Sequence, residues 1–216
     1  MKGHIKNRLI VSLLAVAAVP LAGVGFYSIQ SNTAALRQLA LAAARERVQL
    51  KAKEVEEMLR DIRNDLFFLA HSPTLFSLLD EVERDAVQAS FWRRKLGQQL
   101  LAFTHNKSVY TSLRYIDENG FEVVRAEYDG LRSWLVPDQK LERRATRDYF
   151  HAAVTLSAGE VYVSAVDRSD GEAKESVVRY ALRVIDRHDQ RRGVLVADVF
   201  AHCIVEAVGE GKVDQT

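Results

Sequence analysis

Apolar and polar positions follow three different rhythms along this chain, and each rhythm predicts a different kind of element. From Leu9 to Leu36 there is no charged side chain, and the dense part of that run, Leu9 to Ile29, exceeds the about 20 apolar residues that cross a bilayer core as a helix. Lys2, Lys6 and Arg8 precede it, so the positive-inside bias places this basic leader in the cytoplasm. Phe26 and Tyr27 fall where an outer aromatic belt would sit. The run is longer than the about 7–15-residue apolar region of a cleaved signal peptide. An uncleaved anchor is therefore expected, with everything after Arg37 on the extracytoplasmic side.

The second rhythm has a period of seven. Leu41, Val48, Val55, Ile62 and Leu69 repeat at that spacing, with Ala52, Leu59 and Leu66 at the intermediate positions. Charged residues such as Lys51, Glu54, Glu57, Arg60 and Asp61 fill the gaps and form a solvated face. A helix from Thr33 to Ala70 would be about 55 Å long at 1.5 Å per residue. Its stripe suits two packing schemes. One is packing on the chain's own domain; the other is a seam between two copies through Leu41, Val48, Val55 and Ile62. The schemes balance over 55–70, and the seam is favoured over 36–54, where less of the domain is near. Ser72-Pro73 reads as an N-cap with Pro at the first helical position, opening a short helix through Leu79. A second amphipathic helix is predicted from Arg84 to Thr104, burying Val87, Phe91, Leu96, Leu100 and Phe103.

From Leu113 the period becomes two. The first strand turns at Asp117-Glu118-Asn119-Gly120, where Gly supplies the positive φ, and returns as Phe121 to Tyr128. Arg147 to Leu156 reads as a helix ended near Gly159. Val161 to Val166 and Val177 to Ile185 are strands, and Gly193 to Phe200 is an apolar strand expected at the centre of the sheet. Hairpin-linked strands with helices before and between them predict an α+β fold. In full, it is an N-terminal transmembrane helix continuing into a long stalk helix, then an antiparallel sheet flanked by helices.

Composition narrows the function. In 216 residues, 30 basic side chains nearly balance 29 acidic ones, so no basic surplus points to nucleic acid. The single Cys203 excludes an internal disulfide and a multi-cysteine metal site; it reads as a small buried residue or an intermolecular bridge. No Gly-rich phosphate loop, nucleophile elbow or paired-histidine helix is present, and the six histidines are scattered. Asp117-Glu118-Asn119-Gly120 resembles a calcium loop only faintly, because Tyr128 stands where the twelfth-position carboxylate belongs. No catalytic residue, metal site or cofactor is expected.

What remains is a concentration of Arg, Tyr and carboxylate in the sheet region. Arg147, Tyr149 and Phe150 share one short helix, while Tyr162, Ser164, Arg179 and Asp198 lie on strands. An Arg fork binds a carboxylate through two parallel charge-assisted hydrogen bonds, a Tyr hydroxyl orients the ligand, and Asp198 could take an ammonium group. The structural alternative is equally open. Arg114, Arg125 or Arg183 could pair across strands with Glu122 or Glu127. Asp198, between Val194-Leu195-Val196-Ala197 and Val199-Phe200, is either buried and partnered or on a solvent face.

Several blocks resemble the Cache (PAS-like) extracytoplasmic sensor domains of bacteria. They are the hairpin Leu113 to Arg125, then Arg147-Asp148-Tyr149-Phe150, then Gly159-Glu160-Val161-Tyr162-Val163-Ser164, then Val178-Arg179-Tyr180-Ala181, and last Gly193 to Val199. They follow in the family's order, behind a long N-terminal helix, over roughly residues 30–205. The resemblance implies a PAS-like sensor of the double-Cache type, in the N-terminal part of a receptor of the sensor kinase, chemoreceptor or diguanylate cyclase type. It also implies that Arg147, Tyr149, Tyr162 and Asp198 surround a small ligand, and that the long helix dimerises. Phe150 departs from the second hydroxyl-bearing aromatic of amino-acid-binding members, and no second apolar run follows Phe200. The implied division is a leader at 1–8, an anchor at 9–30, a stalk helix at 31–71, a sensor domain at 72–205 and a polar tail at 206–216, where a fragment would end. The expected function is a periplasmic, inner-membrane-anchored input domain for a small carboxylate- or amine-bearing molecule. The alternative is a membrane-anchored module that dimerises or docks through its helix and binds no small molecule.

Overall fold

A computed structural model of the chain describes the backbone of residues 2–157, 159–170 and 175–208; within it, the side chains before Arg37, other than Ala18, and after Val205 fall outside the description. The chain forms two compact units, Met1–Ala52 and Lys53–Thr216. Helix α1 runs Lys2–Ala70. The side chains of the expected anchor, Leu9 to Ile29, lie outside the described residues, and among the described residues no helix is long and apolar enough to cross a membrane.

The seven-residue stripe on α1 divides in two. Leu41 and Val48 are 60% and 68% exposed, and Val55 is half-buried. Ile62, Leu66 and Leu69 are buried and pack with Leu75, Leu96, Leu100, Leu113 and Leu195 in the main core. Ile62 therefore does not belong to a seam between copies: the domain's own helices and sheet cover it.

Helix α2, Pro73–Glu81, begins as its sequence predicts. The Ser72 hydroxyl accepts a hydrogen bond from the Leu75 amide at 3.3 Å, and Pro73 opens the first turn. Helix α3, Ala86–Asn106, is capped by Asp85, whose carboxylate accepts from the amides of Val87 and Gln88. Its buried face carries Ala89, Leu96, Gly97, Leu100 and Thr104. The expected face is thus rotated: Val87 and Phe91 are exposed and Phe103 is half-buried.

Among the described residues, seven strands form one sheet: β1 Tyr110–Ile116, β2 Glu122–Tyr128, β3 Ser133–Leu135, β4 Val161–Val163, β5 Asp167–Arg168, β6 Ser176–Ile185 and β7 Arg191–Phe200. All described pairings are antiparallel, in the order β3-β2-β1-β7-β6-β4, with β5 also paired to β6. β7 is central, as its apolar sequence predicts. The turn after β1 uses Gly120 at φ 82°, and a β-carbon there would meet the Ala145 backbone. β4 stops at Val163, short of the expected Val166.

Each face of the sheet is covered differently. Leu113 and Tyr115 of β1, Tyr180, Leu182 and Val184 of β6, and Leu195, Ala197 and Val199 of β7 point into the core shared with α1, α2 and α3. On the other face, Ile116, Ala181, Val194 and Val196 pack against Tyr149, Phe150 and Ala153 of α4, Asp148–Thr155. Helix α5, Ala201–Val208, begins directly after β7, where the sequence reading expects only a polar tail from 206. Cys203 on it is half-buried.

Candidate functional site

Strand alternation places the charged residues of the domain on the α4 face. In one cross-strand row, Arg179 of β6 faces Asp198 of β7, which faces Ser112 of β1, which faces Glu127 of β2. In the next row on that face, Ala181, Val196, Arg114 and Arg125 stand side by side, with Tyr162 of β4 opposite Ala181. The residues between these rows point to the apolar core. The same two-residue period that buries Leu195 and Ala197 therefore aims Asp198 at Arg114 and Arg179.

Arg114 and Asp198 are both 0% exposed. The Arg114 guanidinium donates to the Asp198 carboxylate, to the Ser112 hydroxyl at 2.8 Å and to Glu122 at 3.3 Å. Ser112 donates to Asp198 at 3.2 Å, and Arg179 Nε lies 3.3 Å from the other Asp198 oxygen. Glu122 is held by Arg114, by Arg125 at 2.9 Å and by Arg144 at 3.0 Å. Burial opposes the charge on Glu122, but the three guanidinium groups and the Glu142 amide outweigh it and lower its pKa.

Asp170, in the loop after β5, completes the cluster. Its carboxylate lies 3.0 Å from Arg147, 3.4 Å from Arg114, 3.4 Å from Arg179 and 3.5 Å from Arg144. Burial again opposes its charge, and Arg114, Arg144, Arg179 and Arg147 together lower its pKa. Above it, Tyr149 of α4 is buried, with the Arg179 guanidinium 5.4 Å from its ring centroid. Burial raises the Tyr149 pKa, and the charges acting on it belong to Arg114, Asp170, Arg144 and Asp198. Its hydroxyl meets no hydrogen-bond partner among the described residues.

Beside Asp170 is a cavity of about 290 Å³, lined among others by Arg125, Glu127, Trp134, Pro137, Lys140 and Asp170 itself. A more open cavity of about 550 Å³ lies elsewhere, between Leu59, Arg63, Leu156, Val161 and Tyr180. Its walls are mainly aliphatic, and its Arg63 is bonded to the Gly159 carbonyl. Among the described residues no group of three or more His, Cys, Asp and Glu side chains is placed to hold a metal ion.

Of the residues singled out in the sequence, Arg147, Tyr149, Arg179 and Asp198 meet around Asp170 and Arg114. Arg147 sits at the N-cap of α4 with its side chain 51% exposed. Tyr162 packs beside the Tyr149–Phe150 cluster. Ser164 adds no side-chain contact to the charged groups: it is half-buried, and its hydroxyl accepts from the Arg179 amide and donates to the Ala165 carbonyl. None of the six lines the 290 Å³ cavity. Asp198 is buried and partnered, which removes the solvent-face alternative. Arg125 pairs with Glu122 and Glu127, but all three lie on β2, so the pairing runs along one strand and not across strands as expected; the cross-strand pair is Arg114 with Glu122. The sequence reading missed Arg144 and Asp170, and it assigned Arg114 to a cross-strand pair alone. Asp170 stands in a polar loop with no periodicity to set it apart, and nothing in the sequence leads to it.

An antiparallel sheet with the C-terminal part of α1 packed on one face and a short helix over a buried charged cluster on the other is the α+β build that the resemblance to Cache (PAS-like) sensor domains implies. The chain belongs to the bacterial histidine kinase sensor domain family, whose profile matches residues 37–209. Among solved structures it is similar to the extracellular domain of a protein assigned as a histidine kinase, vpHK1S-Z8, with 19% identity and a TM-score of 0.66 over 79% of this chain and 62% of that one. It is also similar to a domain of a sensory box/GGDEF family protein from Vibrio parahaemolyticus, at 20% identity and TM-score 0.56 over 72% and 59%. A third is the sensory domain of the Campylobacter jejuni chemoreceptor Tlp3, solved with isoleucine bound, at 14% identity and TM-score 0.56 over 74% and 59%. The chain spans less than two thirds of the length of each. At these identities the likeness is one of fold. No protein of curated function matches the sequence.

Proposed function

We propose that this chain is the ligand-binding input region of a membrane receptor of the sensor kinase, chemoreceptor or diguanylate cyclase type. The apolar run Leu9 to Ile29 would anchor it in the inner membrane, with the leader in the cytoplasm and the sheet domain in the periplasm. The observation that carries the reading is the cluster under α4, where guanidinium groups from four elements converge beside a cavity and a buried Tyr149 hydroxyl has no partner. Structural ion pairs close on themselves; a buried hydroxyl left over among charges supports a place for a further molecule. The solved Tlp3 domain holds isoleucine, which supports capture of a small polar molecule by this fold.

Arg147 is the residue to test, because it is half-exposed and its removal leaves the buried pairs intact. Thermal denaturation of the full chain against amino acids, organic acids and amines is expected to yield a stabilising compound. A ligand at a hundredfold excess over Kd adds about 2.7 kcal/mol. Arg147→Ala should lose most of that shift while melting close to the parent. A folded chain that responds to none of these classes would overturn the reading.

A second reading, a helix-mediated interaction module, is favoured by one observation: Leu41 and Val48 are exposed on the described part of α1. Dimerisation through these two and Val55 also fits the sensor reading, so self-association alone does not separate the two; the ligand screen does.

A further inference from the structure

We infer that Asp170 occupies the place of a ligand's acid group, and that the site takes a small organic acid without an ammonium group rather than an α-amino acid. The inference rests on the sensor reading above and concerns the ligand class of that same site.

Four guanidinium groups surround the Asp170 carboxylate, from β1 (Arg114), β6 (Arg179), the segment before α4 (Arg144) and the N-cap of α4 (Arg147). Charge-assisted contacts of this kind usually close to about 2.7–2.9 Å. Only Arg147 comes near that range, at 3.0 Å; the other three stand off at 3.4 to 3.5 Å. Elsewhere in the domain Arg179 reaches Asp167 at 2.6 Å and Arg144 reaches Glu122 at 3.0 Å. Among the described residues the contact to Asp170 is the longest that Arg114, Arg144 and Arg179 each make to a carboxylate, with Arg114–Glu122 and Arg179–Asp198, both 3.3 Å, only slightly shorter. The carboxylate that fills this cradle of guanidinium groups comes from a loop and not from the sheet, and it is also a wall of the 290 Å³ cavity. An acid entering from that cavity replaces one carboxylate by another and leaves the charge of the cradle unchanged. The Tyr149 hydroxyl, buried and unbonded among the same groups, is available as a donor to the second oxygen.

An ammonium group would meet carboxylates that are already charge-paired, and the one buried carboxylate oxygen left without a hydrogen bond among the described residues, on Asp198, lies 3.3 Å from the Arg179 guanidinium. Within the cradle, Asp198 is held by Arg114, Arg179 and Ser112, and Glu122 by Arg114, Arg125 and Arg144. An amino acid would have to draw one of these buried carboxylates away from two or three cations, leaving buried guanidinium groups without partners.

The test uses the full 216-residue chain, unchanged and as Asp170→Asn and Asp170→Ala, with malonate, acetate and isoleucine as probes, read by thermal shift and titration calorimetry. Removing the internal competitor should tighten malonate binding about tenfold or more over the unchanged chain, as expected when a binding-competent state is no longer masked. Adding Arg147→Ala to Asp170→Asn should abolish the gain. Equal malonate affinity with and without Asp170 overturns the inference and leaves the sensor reading standing. Isoleucine binding without malonate binding overturns the ligand class alone. A folded Asp170→Asn that takes none of the three probes overturns the inference, and the broad screen of the unchanged chain then decides the sensor reading separately. If a variant does not fold, malonate present during refolding must restore it; failure of that rescue counts against the inference.

Discussion

Arg114 and Asp198 lie in the middle of a β-sheet with no exposed surface, where each ion by itself would lose several kcal/mol of hydration. Such charges persist only when every partner is present, so their variants are read as stability first. Asp198→Ala is expected to destabilise the domain by about 3–5 kcal/mol, because Arg114 would remain buried beside an empty position. Urea denaturation checks this; a loss under 1 kcal/mol would mean that Arg114 finds another anion or water. Arg147→Ala, at a half-exposed pair, should fall within about 1 kcal/mol of the parent. The sequence narrows Asp198, among Val194, Val196 and Val199, to a buried and partnered carboxylate or one on a solvent face, and only the sheet's second covered face decides between them. The identity of its partner is not legible in the sequence, because Arg114 is 84 residues away and meets Asp198 only through the β1–β7 register.

Elements were legible to the degree that their period was long and their ends were marked. The end of α1, the Ser72 cap with Pro73, and the central position of β7 all follow from local pattern. The buried face of α3 does not, because it centres on Gly97, whose position against Leu135 and Val124 leaves only 3.2 Å for a β-carbon. A glycine carries no hydrophobic signal, so the apolar pattern points to Val87 and Phe91, which are exposed. Strand β3 has three residues and pairs only with β2, too short for any period to show. On α1 the seven-residue stripe is continuous in sequence while burial changes along it, which allows one test of both halves. Ile62→Ala should destabilise the sheet domain by about 2–5 kcal/mol in chemical denaturation. Val48→Asp, at a position 68% exposed, should leave that stability unchanged and act only on association, read by sedimentation of the full chain.

For the molecule as a whole, the charge network makes acid the condition to vary. Glu122 and Asp170 are both lowered from their ordinary values, burial opposing and the arginines prevailing. The stability they contribute is present above the unfolded carboxylate range, about pH 4, and disappears as pH falls through their lowered folded values. The urea midpoint should therefore be insensitive to these two groups from pH 7 to about 5 and drop steeply below about 4. A midpoint that fell between pH 7 and 5 would point to groups other than these. The alternation along β7 has a consequence for assembly of the sheet itself. A slip of one residue against β1 would press Asp198 into the aliphatic layer and turn Leu195, Ala197 and Val199 towards Arg114 and Arg179. Both errors are penalised at once, one by dehydration of a lone ion and the other by loss of oily contact. The strand thus works as a two-channel checksum: a mispaired chain fails on both faces, and only the frame that assembles the charged cluster also passes as a folded protein.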